Sequence, residues 1–130
     1  NVRLSGLDNS GMRYIIDDCF KFCQREIRRG RKYDAIILDP PSFGRGPNGE
    51  KWKIEEGISE LCELVASLLS DDPLVVCLNS YTGLQPTVMA NILKLTLPSS
   101  AQIDADEIGL ATEEGLILPQ GCTAFATFAK

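Results

Sequence analysis

The apolar positions of this chain change period as it proceeds. Residues 12–17 hold Met12, Tyr14, Ile15 and Ile16 in a short run and predict a strand. Residues 19–30 place Phe20, Cys23 and Ile27 three and four apart, the spacing of one helix face. Asp18 is a natural N-cap for that helix and Gly30 a natural stop. Residues 33–39 return to an unbroken apolar core, Ala35 to Leu38, as expected of a strand covered on both faces. Residues 54–70 carry Ile58, Leu61, Cys62, Val65, Leu68 and Leu69 on one helical stripe. Leu74 to Leu78 is a further buried strand, and residues 86–97 a helix with Pro86 in its first turn. Residues 101–109 and 116–129 read as two closing strands, with Pro119 and Gly121 marking a bulge. Residues 1–7 read as the tail of a helix ended by Gly6, and 42–53 as a Gly-rich loop.

Strands alternating with helices predict an α/β fold: a Rossmann-like, mostly parallel sheet with helices on both faces. The terminal pair of strands adds an antiparallel edge strand. In such sheets ligands lie beyond the carboxyl ends of the strands. Those ends carry Asp17-Asp18, Asp39-Pro40-Pro41-Ser42-Phe43 and Asn79-Ser80-Tyr81, each polar or aromatic directly after an apolar run.

Composition narrows the chemistry. The 130 residues, 44% hydrophobic and 24% charged, suit one globular domain and leave no room for a second. No apolar run is long enough to span a membrane, and no signal peptide opens the chain. A net charge of −5 argues against binding nucleic acid through bulk charge. A local basic cluster remains: Arg25, Arg28, Arg29, Arg31 and Lys32. It is either a solvated helix end or a contact for an acidic polymer. The five Cys, at 19, 23, 62, 77 and 122, are irregularly spaced, and there is no His. No metal site is expected from that set. Free thiols point to the cytoplasm or an organelle interior. Without His no Ser-His or Cys-His pair can form, and Cys77 sits inside an apolar strand, which weakens every hydrolase reading.

Asp39-Pro40-Pro41-Ser42-Phe43 is the sharpest motif. Two prolines stiffen the backbone and remove N–H donors, so the turn presents a carboxylate and carbonyls as acceptors. Acceptors of that kind suit the exocyclic amine of a base, and Phe43 can stack on it. Gly44 and Gly46 permit close approach. Arg45, Lys51 and Lys53 can hold phosphates and Trp52 can stack on a base, or the segment is an ordinary exposed loop with Trp52 packed beneath it.

These residues resemble a known family. Tyr33-Asp34-Ala-Ile-Ile-Leu-Asp39-Pro-Pro-Ser-Phe-Gly-Arg-Gly46 is similar to motif IV of the class I, S-adenosylmethionine-dependent methyltransferases. The resemblance is closest to the group that modifies bases of large-subunit ribosomal RNA. Arg13 to Phe22 resembles that family's adenine-contacting strand end, and Asn1-Val-Arg-Leu-Ser-Gly-Leu7 the helix end before it.

The resemblance implies S-adenosylmethionine as cofactor and RNA, ribosomal in this group, as substrate. It implies that Asp18 binds the adenine amine, with Cys19 and Phe20 lining the ring. It places Asp39, Pro40 and Pro41 beside the methyl donor and target base, with Phe43 holding that base. Ser42, Arg45, Lys51, Trp52, Lys53 and Asn79 are the remaining substrate-binding candidates. The family's Gly-rich cofactor loop and its ribose-gripping acidic residue find no match in residues 1–130. The chain is therefore read as the carboxyl-terminal portion of the domain, and the isolated fragment is expected to be inactive. The group's cytosine carbon-5 enzymes use a Cys where this chain has Asn79-Ser80-Tyr81, so methylation of a base nitrogen is expected instead. A small-molecule or protein methyltransferase, or a binding domain with a degenerate cofactor site, remain the alternatives.

Overall fold

The computed structural model describes residues 1–129. Its elements follow in the order α1 (Cys19–Arg28), β1 (Ala35–Leu38), β2 (Phe43–Arg45), β3 (Lys51–Lys53), α2 (Ile54–Ser67), β4 (Val75–Ser80), α3 (Pro86–Thr96), β5 (Ala101–Ala111) and β6 (Ile117–Phe128). The main sheet has the order β1-β4-β6-β5. β1 and β4 run parallel, while β6 is antiparallel to both β4 and β5. β1, β4 and β5 therefore point one way and β6 alone is reversed. The reversed strand lies inside the sheet rather than at the edge where it was expected. β6 pairs with all of β4, Val75 to Ser80, through its residues Cys122 to Thr127.

One face of the sheet carries the core. Val76 and Leu78 of β4 and Ala124 and Ala126 of β6 are buried and pair across the ladder, Val76 with Ala126 and Leu78 with Ala124. The small alanines leave room for Ile58, Leu61 and Val65 of α2 and Met89 and Leu93 of α3, which share this cluster with Cys23 of α1. Burying such side chains contributes about 1.5–3 kcal/mol each. Helices were expected on both faces, yet all three belong to this single cluster. On the opposite face Ile37 is 73% and Phe125 46% exposed.

Three further expectations need correction. Residues 12–17 take no regular structure and form no strand, since no other described strand lies alongside to complete a ladder. Ile16 is fully exposed there. Residues 1–7 form turns rather than a helix tail: Ser5 N–H bonds to the Asn1 carbonyl and Leu7 N–H to the Val2 carbonyl, without regular continuation. The 42–53 loop contains a hairpin, with Phe43, Gly44 and Arg45 opposite Lys53, Trp52 and Lys51. The bulge falls where Pro119 and Gly121 implied it: the register shifts so that Ile108 faces Gly121 and Gly109 faces Pro119. Gly121, at φ +100°, lies against the Ser80 and Tyr81 backbone, where a Cβ would collide with the Ser80 carbonyl. No described helix is long and apolar enough to cross a membrane.

Candidate functional site

The parallel pairing of β1 with β4 sets Leu38 opposite Leu78. Asp39, just past β1, and Asn79, near the end of β4, therefore lie at the same end of the sheet. Asn79 belongs to β4, which runs on through Ser80 because β6 pairs with it as far as Cys122. Its side chain is committed within the sheet: its Oδ1 accepts from the Thr123 hydroxyl and, at 3.6 Å, from the Cys77 thiol. Burial pushes the Cys77 thiol upward, so it is protonated near neutral pH and is no thiolate nucleophile. Cys62, deeper in the core, is pushed up to about 11. The buried Ser80 hydroxyl donates to the Thr82 carbonyl.

The Asp39-Pro40-Pro41 turn is tied down from the hairpin side. The Trp52 indole Nε1 donates to the Pro41 carbonyl at 2.6 Å, and the Ile54 amide donates to the Ser42 carbonyl at 3.0 Å as α2 begins. Asp39 itself is exposed, as is Phe43, whose ring has the Arg45 guanidinium 5.9 Å from its centre. Lys53 pairs with Glu56 at 3.2 Å, while Lys51 is exposed.

Asp18 sits at the start of α1. Its Oδ1 accepts from the Lys21 amide at 3.0 Å, the N-cap bond the sequence predicts. Its Oδ2 has no hydrogen-bond partner among the described residues. Asp17 takes the other role: it accepts from the Asp18 amide and from Arg25 at 2.5 Å, and the Arg25 bond holds its carboxyl below the ordinary aspartate range. Cys19 is exposed and Phe20 half-buried.

An open groove of about 460 Å³ joins this region to the hairpin, lined by Asp18, Phe20, Lys21, Lys51, Trp52 and Lys53 among others. Phe20 and Trp52 meet across it, ring centres 5.8 Å apart and planes tilted by 57°. The structure thus brings Asp18 and Phe20, expected at an adenine, and Lys51, Trp52 and Lys53, expected at a nucleic acid, to one groove. Cys19, Ser42, Arg45 and Asn79 do not line it: Ser42 and Asn79 lie with Asp39 near the strand ends, and Arg45 ends β2. Two features escaped the sequence reading. Tyr33 donates to Glu26 at 2.8 Å, which lowers the carboxyl of that buried residue. Gly57 makes room for the Trp52 ring, and its position within an amphipathic helical stripe was the available signal.

Comparison with known proteins completes the description. No family model matches the chain. The ribosomal RNA large subunit methyltransferase I of Erwinia tasmaniensis is 33% identical over 105 residues, covering 81% of this chain and 25% of that protein. The protein of the same name from Klebsiella pneumoniae is 44% identical over 43 residues, 33% of this chain and 11% of its own length. A SAM dependent methyltransferase of Agrobacterium tumefaciens superposes with a TM-score of 0.87 at 28% identity, over 97% of this chain and 43% of that one. The chain has the class I methyltransferase fold. SMU.776, solved in complex with SAH, shares that fold with a TM-score of 0.71 at 18% identity, over 98% of this chain and 34% of that one. This methyltransferase-like chain spans a quarter or less of the curated relatives it matches, 25% and 11% of their lengths.

Proposed function

We propose that the chain is part of an S-adenosylmethionine-dependent methyltransferase that acts on a base of ribosomal RNA. The observation that carries this reading is the Asp39-Pro40-Pro41 turn, which leaves β1 beside the end of the parallel strand β4 and presents acceptors without donors. The likeness to the ribosomal RNA methyltransferase of Erwinia tasmaniensis supports the substrate class. When bound, S-adenosylmethionine supplies an electrophilic methyl group.

The donor set of the groove fits the adenine end of that cofactor. Asp18 has a free carboxylate oxygen for the exocyclic amine, and Phe20 and Cys19 adjoin it. Asp39 and the Pro40 carbonyl would accept hydrogen bonds from the amine of the target base, holding its nitrogen toward the methyl group. Phe43 offers a ring face for stacking, and Arg45 and Lys51 offer charge for phosphates. Asn79 is a weaker substrate contact, since Thr123 already occupies its Oδ1. The buried, protonated Cys77 supplies no covalent route to a ring carbon, which favours a base nitrogen as methyl acceptor. The setting is a reducing cytoplasm or organelle interior, where five free thiols persist.

The test is transfer of labelled methyl from S-adenosylmethionine to unmodified large-subunit ribosomal RNA by the full-length protein. Label in a base nitrogen of the RNA is the expected outcome. Label in protein alone, or none despite binding of S-adenosylhomocysteine, sinks the reading.

A further inference from the structure

Pro40 and Pro41 have no N–H, so neither can hold the Asp39-Pro40-Pro41 turn as a donor. It is held through acceptors. Two carbonyl bonds do this: Ile54 N–H to Ser42, and the Trp52 indole to Pro41 at 2.6 Å. The first is fixed by the start of α2. The second depends on a side chain, and the surroundings are shaped to keep that side chain in place. Gly44 pairs with Trp52 across the hairpin. Gly57 lies inside α2, where glycine ordinarily disfavours the helix. A Cβ at Gly57 would overlap the indole ring. The ring also meets that of Phe20, two residues beyond Asp18.

We infer that Trp52 is a positioning residue that fixes the Asp39-Pro40-Pro41 turn relative to the Asp18-Phe20 end of the groove. The inference rests on the methyltransferase reading and assigns Trp52 a task other than stacking on a substrate base. Its indole N–H bond sets the turn, and its ring sets the distance to Phe20. Gly57 is the space that permits both.

The test uses the full-length protein and two substitutions. Trp52→Phe keeps an aromatic ring beside Phe20 and removes the N–H. Gly57→Ala favours the helix while pushing the ring away from its seat. Both are expected to lower kcat on large-subunit ribosomal RNA by roughly 10- to 100-fold, the scale of a misplaced reacting group. Affinity for S-adenosylhomocysteine is expected to stay within about 3-fold for Trp52→Phe, giving a loss in kcat without a matching loss in binding. Gly57→Ala keeps the test informative if Trp52→Phe folds poorly, because it retains the indole N–H and its gain in helix propensity offsets part of the cost of moving the ring. Wild-type kcat in a folded Gly57→Ala or Trp52→Phe protein overturns the inference and leaves the methyltransferase reading standing. A raised KM for RNA at unchanged kcat also overturns it, since that marks direct stacking on the substrate. A wild-type protein that binds S-adenosylhomocysteine yet transfers no methyl group overturns both together.

Discussion

Asp18 and Asp39 both follow a short apolar run, and the two runs look alike as strings of residues. Around Asp39 the chain supplies every support: β1 pairs with β4, the hairpin anchors Pro41, and α2 takes up the Ser42 carbonyl. Around Asp18 it supplies a helix cap and one ion pair, and residues 12–17 pair with nothing among the described residues. A strand is a pairwise object. The same apolar pattern becomes a strand where a neighbour completes its hydrogen bonds and stays an exposed, irregular segment where none does.

The largest expected effect separates the two regions by stability. Leu78→Ala removes a fully buried side chain from the strand next to β1, and a cost of about 2–5 kcal/mol is expected in urea unfolding of this chain. Ile16→Ala, on the unpaired segment, is expected to change stability by less than about 0.5 kcal/mol. Equal costs at the two sites would mean that residues 12–17 are packed in solution, and the contrast would fail.

Next in size is catalytic loss in the full-length protein. Asp39→Ala is expected to reduce methyl transfer by about 10²–10³, the range for removing a group that stabilises a reacting centre. Asp18→Asn keeps the cap, because Asn caps as well as Asp, and its loss is expected in cofactor affinity rather than in helix content. Asp18→Ala is expected to destabilise α1 by a further ~1 kcal/mol. If Asp18→Asn and Asp18→Ala bind S-adenosylhomocysteine as the wild type does, Asp18 is a cap and nothing more.

The same contrast explains which parts of the fold were legible in the sequence. The α2 stripe and the apolar core of β4 announce themselves because each fills its own period. Asp39-Pro40-Pro41 was legible because proline chemistry is local. The hairpin was not, since β2 and β3 are three residues each, too short for alternation to register, and Gly44 and Gly46 read as loop. The order of β6 between β4 and β5 was not legible either. It depends on the length of the closing hairpin and on Ala124 and Ala126 being small enough to sit beneath α3, a packing fact rather than a pattern. The bare face carrying Ile37 and Phe125 is likewise invisible to periodicity, which reports that a residue is apolar and not what covers it. The sequence assigned the cap to Asp18 but left Asp17 without a partner. The structure bears out the cap, with Asp18 Oδ1 on the Lys21 amide, and adds Arg25 as the partner of Asp17.

That assignment makes the smallest prediction the most local. The Arg25 guanidinium bonded to Asp17, helped by the Asp18 amide, holds the Asp17 carboxyl below its ordinary value in the folded chain. A carboxyl whose folded value is depressed adds stability above its unfolded value, and that contribution disappears as pH falls through the folded value. The start of α1 is therefore expected to be best held at neutral pH and to loosen below about pH 4, the ordinary aspartate range. Arg25→Gln removes the partner and should return Asp17 toward its ordinary value. Following the Asp17 carboxyl carbon by NMR between pH 6 and 2 checks this directly. A midpoint lower in the wild type than in Arg25→Gln is the expected result. Because both groups are partly solvated, high salt should narrow the difference. Identical midpoints would leave the Asp18 end of the groove resting on its cap alone, and the gap between the two carboxylate ends would be wider than the ion pair suggests.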